Sequence, residues 1–197
     1  MTYEIFTALA VFALVSSITP GPNNLMLMAS GVNFGARRTI PHALGVSIGF
    51  TLMVGLVGLG LMSVFDAIPH SHDALKVISV VYLLYLAFKI GTSATIGEKP
   101  TDSKPMTFWQ AVLFQWVNPK GWTMALTAVT VYAAGGSLTT VLLVTLVFGL
   151  VNAPSISVWV FAGDRLKRFL STPSRLRVFN ITMALLLVAS LYPVLMH

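Results

Sequence analysis

Apolar residues along this chain fall into six long stretches that are separated by short polar segments. The stretches cover residues 5–34, 41–65, 75–90, 108–134, 139–162 and 178–193. A helix needs about 20 mainly apolar residues to cross a bilayer, so the pattern predicts an all-α integral membrane protein with six transmembrane helices. The first stretch is too long for one straight crossing, which indicates an interruption inside it.

The composition agrees with a membrane protein. The chain has 197 residues, of which 56% are apolar and 9% are charged, whereas soluble domains are about 25% charged. The six helices use the whole length, so we expect a single transmembrane domain over residues 1–197. Cysteine is absent and no catalytic or metal-binding motif occurs, so we expect no enzymatic activity, no cofactor and no metal.

The basic residues predict the orientation of the chain in the membrane. The net charge is +6. Most of the lysines and arginines lie in the loops after the first, third and fifth stretches, while Lys76 is the one lysine or arginine in the opposite loops. The positive-inside rule therefore places these three loops in the cytoplasm and both termini outside. The residues that set this topology include Arg37, Arg38, Arg165, Lys167, Arg168, Arg175 and Arg177. This pattern favours membrane topology over a nucleic-acid partner.

Two short motifs interrupt the apolar stretches with residues that end and restart helices. The first motif is Thr19, Pro20, Gly21, Pro22, Asn23 and Asn24, and the second is Asn118, Pro119 and Lys120. Proline removes a helical hydrogen bond but is favoured at the first position of a new helix. Each restarted half-helix would direct free N–H groups at the middle of the membrane, where a carboxylate is the natural guest. Prolines that only kink packed helices are the alternative.

The two breaks occupy corresponding places in the two halves of the chain. Residues 1–95 and 105–197 each contain a broken helix followed by two further stretches. With three crossings per half, the second half enters the membrane in the opposite direction, which predicts an inverted repeat and a transporter with its binding site at the breaks. The alternative is six helices with coincidental prolines.

Several polar residues are candidates for the transport pathway. Lys120 is about 12 residues, or about 18 Å, from either end of its stretch, which is too far for its ammonium group to reach the membrane surface. We expect it to line the pathway and to attract a carboxylate or titrate, the alternative being hydrogen bonds to carbonyls freed by Pro119. Gln115 and Asn152 either line the same cavity or bridge helices. His42 is expected at the membrane interface, the alternative being a proton relay.

Glycines with a four-residue spacing predict close helix packing. The pairs are Gly31 with Gly35 and Gly45 with Gly49. Small residues on one helix face allow two backbones to approach closely. Such faces also allow a homo-oligomer.

The run from Pro20 to Asn24, the pair Arg37–Arg38 and the triplet Asn118–Lys120 together resemble the LysE/RhtB family of bacterial amino-acid exporters. The resemblance covers nearly the whole chain in length, spacing and hydropathy. It implies export of a small amino acid or derivative across the cytoplasmic membrane, driven by the proton-motive force. Homoserine, threonine, cysteine-like and branched-chain substrates occur among the relatives.

One departure from the family pattern bears on the substrate. Relatives that export lysine or arginine tend to have an aspartate in the second span and another after the fourth-span break. Here neither 45–50 nor 119–124 contains an acidic residue. A neutral amino acid is therefore favoured. A channel, or an exporter of another small solute or ion, is the alternative, and metal export is disfavoured because the ligands are missing.

Overall fold

The computed structural model describes residues 1–93, 104–135, 137–170 and 172–196, and the regular secondary structure in these ranges is entirely helical. The α-helices are α1 (Tyr3–Ile18), α2 (Pro22–Phe34), α3 (Ala36–Gly58), α4 (Leu61–Ala67), α5 (Ser71–Gly91), α6 (Phe108–Phe114), α7 (Pro119–Tyr132), α8 (Leu138–Leu166), α9 (Pro173–Ala189) and α10 (Tyr192–Met196). A 3₁₀ turn, Gln115–Val117, follows α6 directly.

The all-helical prediction is confirmed for the described residues. Helices α3, α5 and α8 are each long and apolar enough to cross a membrane, and α1 with α2 forms a fourth candidate that is bent by 50°. The predicted fourth stretch is divided between α6 and α7, and α9 has 17 residues. The number of six spans therefore stays a prediction, and the predicted boundary between the repeats falls largely in residues 94–103, outside the described residues.

The second predicted stretch, residues 41–65, is wrong as a single helix. Gly60 has φ 98°, which ends α3 just before it and lets α4 start separately. This left-handed conformation carries almost no cost for glycine, because glycine has no Cβ.

Both predicted helix interruptions are present. Helix α1 ends at Ile18, and α2 begins at Pro22; α7 likewise begins at Pro119. Proline suits the first position of a helix because its missing N–H would have no helical partner there. Helix α2 has 13 residues, so the first break lies about 20 Å from the far end of that half-helix.

Helix α8 is the central packing element. It contacts α1, α2 and α3, while α3 also contacts α6, and α5 contacts α9. Between α1, α3 and α8, the Phe148 ring meets Phe12 and Phe50 edge to face, with ring centroids 5.9 and 5.7 Å apart. These contacts hold α1 and α3 on the helix that also carries Asn152.

Three of the four predicted glycines lie at close helix contacts. A Cβ on Gly31 would lie 2.5 Å from the carbonyl oxygen of Val160 in α8, and one on Gly49 would lie 2.9 Å from the Cα of Val112 in α6. A Cβ on Gly45 would overlap the carbonyl oxygen of Phe108. Gly35 differs, since it has φ 84° and forms the turn between α2 and α3.

The outer surface of the bundle is apolar. More than half of the side-chain surface is exposed at many large apolar residues of α5 and α8, among them Val77, Val81, Leu142, Leu146 and Leu150. A contiguous apolar exterior on helices of this length is the surface that a lipid bilayer covers.

The predicted topology residues lie together at one end of the bundle. The backbone N–H of Ala36 donates to Asp164 Oδ1 at 2.9 Å, which joins the start of α3 to the end of α8. The side chains of Arg37, Arg38, Arg165, Lys167, Arg168, Arg175 and Arg177 are all exposed. A reciprocal amide pair, Asn33 with Asn180 at 2.9 and 3.2 Å, joins α2 to α9 in the same region.

The packing of α2 on α8 yields a stability prediction. A Cβ on Gly163 would overlap the carbonyl oxygen of Met28, so we expect Gly163→Ala to lower the free energy of unfolding by about 1–3 kcal/mol. At Gly91 a Cβ would meet only the Ala184 Cβ at 3.4 Å, so Gly91→Ala should be neutral or slightly stabilising. Thermal unfolding of the two purified variants in detergent measures the difference, and equal unfolding temperatures would contradict this packing.

Candidate functional site

The end of α1 leaves a row of backbone carbonyls without helical donors. Pro20 and Pro22 have no N–H, so the usual hydrogen bonds to the preceding turn are lost. Donors near in sequence replace part of them. The Thr19 hydroxyl donates to the Ser16 carbonyl at 3.1 Å, and Asn24 Nδ2 donates to the carbonyls of Ser17 and Thr19, both at 2.8 Å. The Asn24 side chain, at the start of α2, therefore supplies donors to two carbonyls at the end of α1.

Two donors come from distant parts of the chain. The indole Nε1 of Trp159, in α8, donates to the Ile18 carbonyl at 3.0 Å. Lys120 Nζ, at the start of α7, donates to the Thr19 carbonyl at 2.8 Å and to the Pro20 carbonyl at 3.2 Å. Every carbonyl from Ser16 to Pro20 thus accepts a side-chain hydrogen bond, from the buried Ser17 to the exposed Pro20.

Lys120 is surrounded by neutral oxygens. Its half-buried ammonium group also donates to the Thr19 hydroxyl at 3.0 Å, so its three bonds go to two carbonyls and one hydroxyl. A Cβ on Gly21 would lie 2.5 Å from Lys120 Cδ, so a larger residue at position 21 would require the lysine side chain to shift. The sequence offered the alternative that Lys120 bonds to carbonyls freed by Pro119. The acceptors are instead at the first break, at Thr19 and Pro20.

A second polar bridge joins the two breaks. Asn23 Nδ2 donates to Gln115 Oε1 at 2.8 Å, and Gln115 Nε2 donates back to Asn23 Oδ1 at 3.2 Å. Gln115 is fully buried and also donates to the Ala111 carbonyl at 2.9 Å. Asn23 is the second residue of α2 and contacts Gln115, just before the second break. Lys120 is the second residue of α7 and contacts Thr19, at the first break.

A small cavity lies between the two half-helix starts. Its volume is about 20 Å³, enough for about one water molecule and too small for an amino acid. The apolar part of the wall comprises Phe50, Met124 and Ile156. The polar part includes Ser17, Asn23, Asn24, Asn118, Lys120 and Asn152. The cavity therefore cannot hold an amino acid in this conformation.

Two acceptors in the cavity wall are unused. Asn118 Oδ1 and Asn152 Oδ1 are buried and have no hydrogen-bond partner among the described residues. Asn152 Nδ2 donates to Ser17 Oγ at 3.3 Å, and the two asparagines are only 2% and 4% exposed. A buried acceptor without a donor costs about 1–3 kcal/mol, so both oxygens favour a guest that carries N–H, O–H or S–H groups.

The same cavity faces the starts of two helices. Gly21 and Asn118 are the N-cap residues of α2 and α7, and no described side chain caps either helix. The N–H groups of the first turn and the partial positive charge of each helix start favour an anionic group. Together with the unused amide oxygens, the cavity offers both donors and acceptors.

The remaining predicted residues lie around or outside this cavity. Thr19, Pro20, Pro22 and Pro119 form the two breaks, while the packing glycines and the exposed basic residues lie elsewhere. His42 is 2% exposed on the packed face of α3, so its side chain contacts protein, and its position at the membrane interface stays a prediction. Both of its ring nitrogens have no partner among the described residues.

Sequence reasoning missed Trp159 as part of the site. It is separated from Ile18 by 141 residues, and no local pattern pairs an indole N–H with a carbonyl at that distance. Ser17, Phe50, Met124 and Ile156 were missed in the cavity wall as well, because residues of these types also fill ordinary helix contacts.

Apolar helices of membrane length, packed around two helix breaks with a polar cavity between them, are the construction of a membrane translocator. The family model for the LysE type translocator matches residues 14–190, and the chain belongs to this family. It is therefore a membrane transport protein, as its sequence predicts.

The cysteine/O-acetylserine efflux proteins of Escherichia coli (strain K12) and Shigella sonnei (strain Ss046) are similar to this chain. Each is 31% identical over 193 residues, covering 95% of this chain and 96% of the relative. The protein of the same name from Escherichia coli O139:H28 is 30% identical over the same length. No solved structure is detectably similar to the chain.

The role of Trp159 yields a test of the first break. Trp159→Phe removes the donor to the Ile18 carbonyl, and we expect the free energy of unfolding to fall by about 1–3 kcal/mol. Trp109→Phe makes the same chemical change at a side chain that is 71% exposed, so it should leave stability unchanged. Thermal unfolding in detergent compares the two variants. An equal loss of stability in both variants would show that the Trp159 hydrogen bond does not stabilise the break.

Proposed function

We propose that this protein exports a small neutral amino acid or derivative across the bacterial cytoplasmic membrane. The observation that carries the proposal is the small polar cavity at the two half-helix starts, whose lining suits a zwitterion. The name of the relatives, cysteine/O-acetylserine efflux protein, supports the same substrate class, because both of these compounds are small and carry one amino and one carboxyl group. Homoserine, threonine and branched-chain amino acids belong to the same class.

The site binds the two charged ends of the substrate in different ways. The carboxylate takes the uncapped N–H groups at the starts of α2 and α7, beside Lys120. The side chain and the ammonium group use the acceptors Asn118 Oδ1 and Asn152 Oδ1 and the carbonyls of the first break. No acidic side chain is among the described residues that line the cavity, so a second positive charge would stay unpaired. This disfavours lysine and arginine.

The architecture that we propose is six spans in two inverted repeats, residues 1–95 and 105–197, with both termini outside. Each repeat starts with a broken helix that resumes at a proline, Pro22 or Pro119. The packing is also paired, since α8 contacts α1 and the corresponding α3 contacts α6. During transport one repeat rocks against the other, and the cavity opens to one side of the membrane at a time. Thr19, Pro20, Gly21, Pro22, Asn23, Asn24, Gln115, Asn118, Pro119, Lys120 and Asn152 form the pathway.

The proton-motive force drives export in this proposal, with protons as the second transported species. Such coupling makes efflux sensitive to an uncoupler, whereas a channel would pass its solute down the gradient without saturation. The cavity volume of about 20 Å³, too small for an amino acid, supports a carrier rather than a permanently open pore. The apolar outer faces also leave room for a homo-oligomer in the bilayer.

Efflux from intact cells tests the substrate class. Cells that produce the protein are preloaded with dipeptides that release neutral, basic or acidic amino acids. We expect saturable, uncoupler-sensitive release of a neutral amino acid and no increase for lysine or arginine over cells without the protein. Release of basic amino acids, or the absence of release across the panel, would contradict the proposal.

A variant of the cavity wall separates binding from folding. Asn152→Leu removes an oxygen that has no described partner together with one long hydrogen bond, from Nδ2 to Ser17 Oγ at 3.3 Å, so membrane abundance should stay near that of the wild type. Because the substrate loses an acceptor, we expect efflux to fall at least about tenfold. Immunoblotting of membranes measures abundance, and the dipeptide assay measures efflux. Normal efflux at normal abundance would exclude Asn152 from the pathway.

A further inference from the structure

The oxygens around Lys120 have the geometry of a general ammonium site. A primary ammonium group has three donors and no acceptor. Here each donor has one neutral oxygen: the Thr19 carbonyl at 2.8 Å, the Thr19 hydroxyl at 3.0 Å and the Pro20 carbonyl at 3.2 Å. No carboxylate takes part, so only neutral oxygens surround the ammonium group.

This ammonium site lies at the edge of the substrate cavity. Lys120 and Gly21 are both cavity-lining residues, and the cavity has room for about one water molecule beside the lysine. All three oxygens already accept hydrogen bonds from Lys120 Nζ, so a second ammonium group cannot make the same three contacts while the lysine is in place. A substrate ammonium can reach these oxygens only if Lys120 leaves them.

The substrate carries a group for each side that separates when Lys120 is displaced: one for the oxygens and one for the lysine. An amino acid brings one ammonium group and one carboxylate into the cavity. The ammonium group replaces the hydrogen bonds that the Thr19 and Pro20 carbonyls lose, so no freed carbonyl is left without a donor. The released Lys120 then lies beside the carboxylate, to which it gives a charge-assisted hydrogen bond.

We propose that the carbonyls of Thr19 and Pro20, with the Thr19 hydroxyl, are the ammonium subsite of the transporter, and that Lys120 occupies it as a tethered substitute when no substrate is bound. The inference rests on the proposed function and names the group that the substrate must carry, a free primary ammonium. Empty and loaded carriers both have one ammonium group at these oxygens. An N-acylated amino acid lacks the group and is not a substrate.

Chemical rescue tests the subsite without any transport measurement. Lys120→Ala leaves the oxygens without a donor and leaves space for a small cation. We expect methylammonium chloride to raise the unfolding temperature of purified Lys120→Ala by about 3–6 °C at ten times its dissociation constant. Wild type and Lys120→Met, in which a side chain still fills the space, should not respond. Tetramethylammonium, which has no N–H group, should have no effect on any of the three.

Competition then links the subsite to the substrate. L-cysteine should displace methylammonium from Lys120→Ala, whereas N-acetyl-L-cysteine should not. The chain contains no cysteine, so a reductant can be present throughout. No methylammonium effect on Lys120→Ala, or an equal effect on wild type, would overturn the subsite. A methylammonium effect without competition by L-cysteine would overturn its assignment to the substrate, while leaving export to be judged by the efflux panel.

The wild type provides a second measurement if Lys120→Ala does not fold. Cysteamine has the ammonium and thiol groups of cysteine, and 3-mercaptopropionate has the carboxylate and thiol groups. We expect cysteamine to inhibit neutral amino-acid efflux at least about tenfold more strongly, since the ammonium must displace Lys120 before the carboxylate gains its partner. Stronger inhibition by 3-mercaptopropionate would identify Lys120 as a permanent carboxylate anchor and overturn the proposal.

Discussion

Backbone carbonyls that are freed inside an apolar bundle must find hydrogen-bond donors, and this requirement fixes the centre of the structure. The five carbonyls from Ser16 to Pro20 receive donors from α1–α2, from α7 and from α8. Since Trp159 and Lys120 can donate only when α8 and α7 approach the end of α1, the break acts as the point on which the helices assemble. The glycines at the α2–α8 and α3–α6 contacts allow that approach.

Residues whose hydrogen bonds stabilise the break also line the cavity. Asn24 has both amide hydrogens committed to the Ser17 and Thr19 carbonyls, so it holds the break closed and presents a side chain to the cavity at the same time. Asn118 and Asn152 are different, because their oxygens have no described partner and are free to accept from a guest. The break is therefore held by one asparagine, while two others leave acceptors open to a guest.

The prolines and glycines of the two breaks were sufficient to predict where the helices stop and restart, because their effect on the backbone is local. The partners of Lys120 and Trp159 could not be predicted, since they depend on which helix starts meet across about 100 residues of chain or more. The burial of His42 could not be predicted, because its distance from the basic end of the bundle does not reveal which face of α3 packs inward. The Gly60 turn was hidden inside an apolar run that hydropathy alone reads as continuous.

Accessibility of the cavity from both sides of the membrane is the most direct test of the account. The chain has no cysteine, so a single cysteine at Ser17 can be probed with a small charged methanethiosulfonate reagent in right-side-out and inside-out vesicles. A cysteine at Leu9, which is fully buried in the apolar core, is the control. Alternating access to this cavity predicts that the Ser17→Cys variant is modified from both sides, while the Leu9→Cys variant is modified from neither. Modification of Ser17→Cys from one side only, or no faster than Leu9→Cys, would contradict the account.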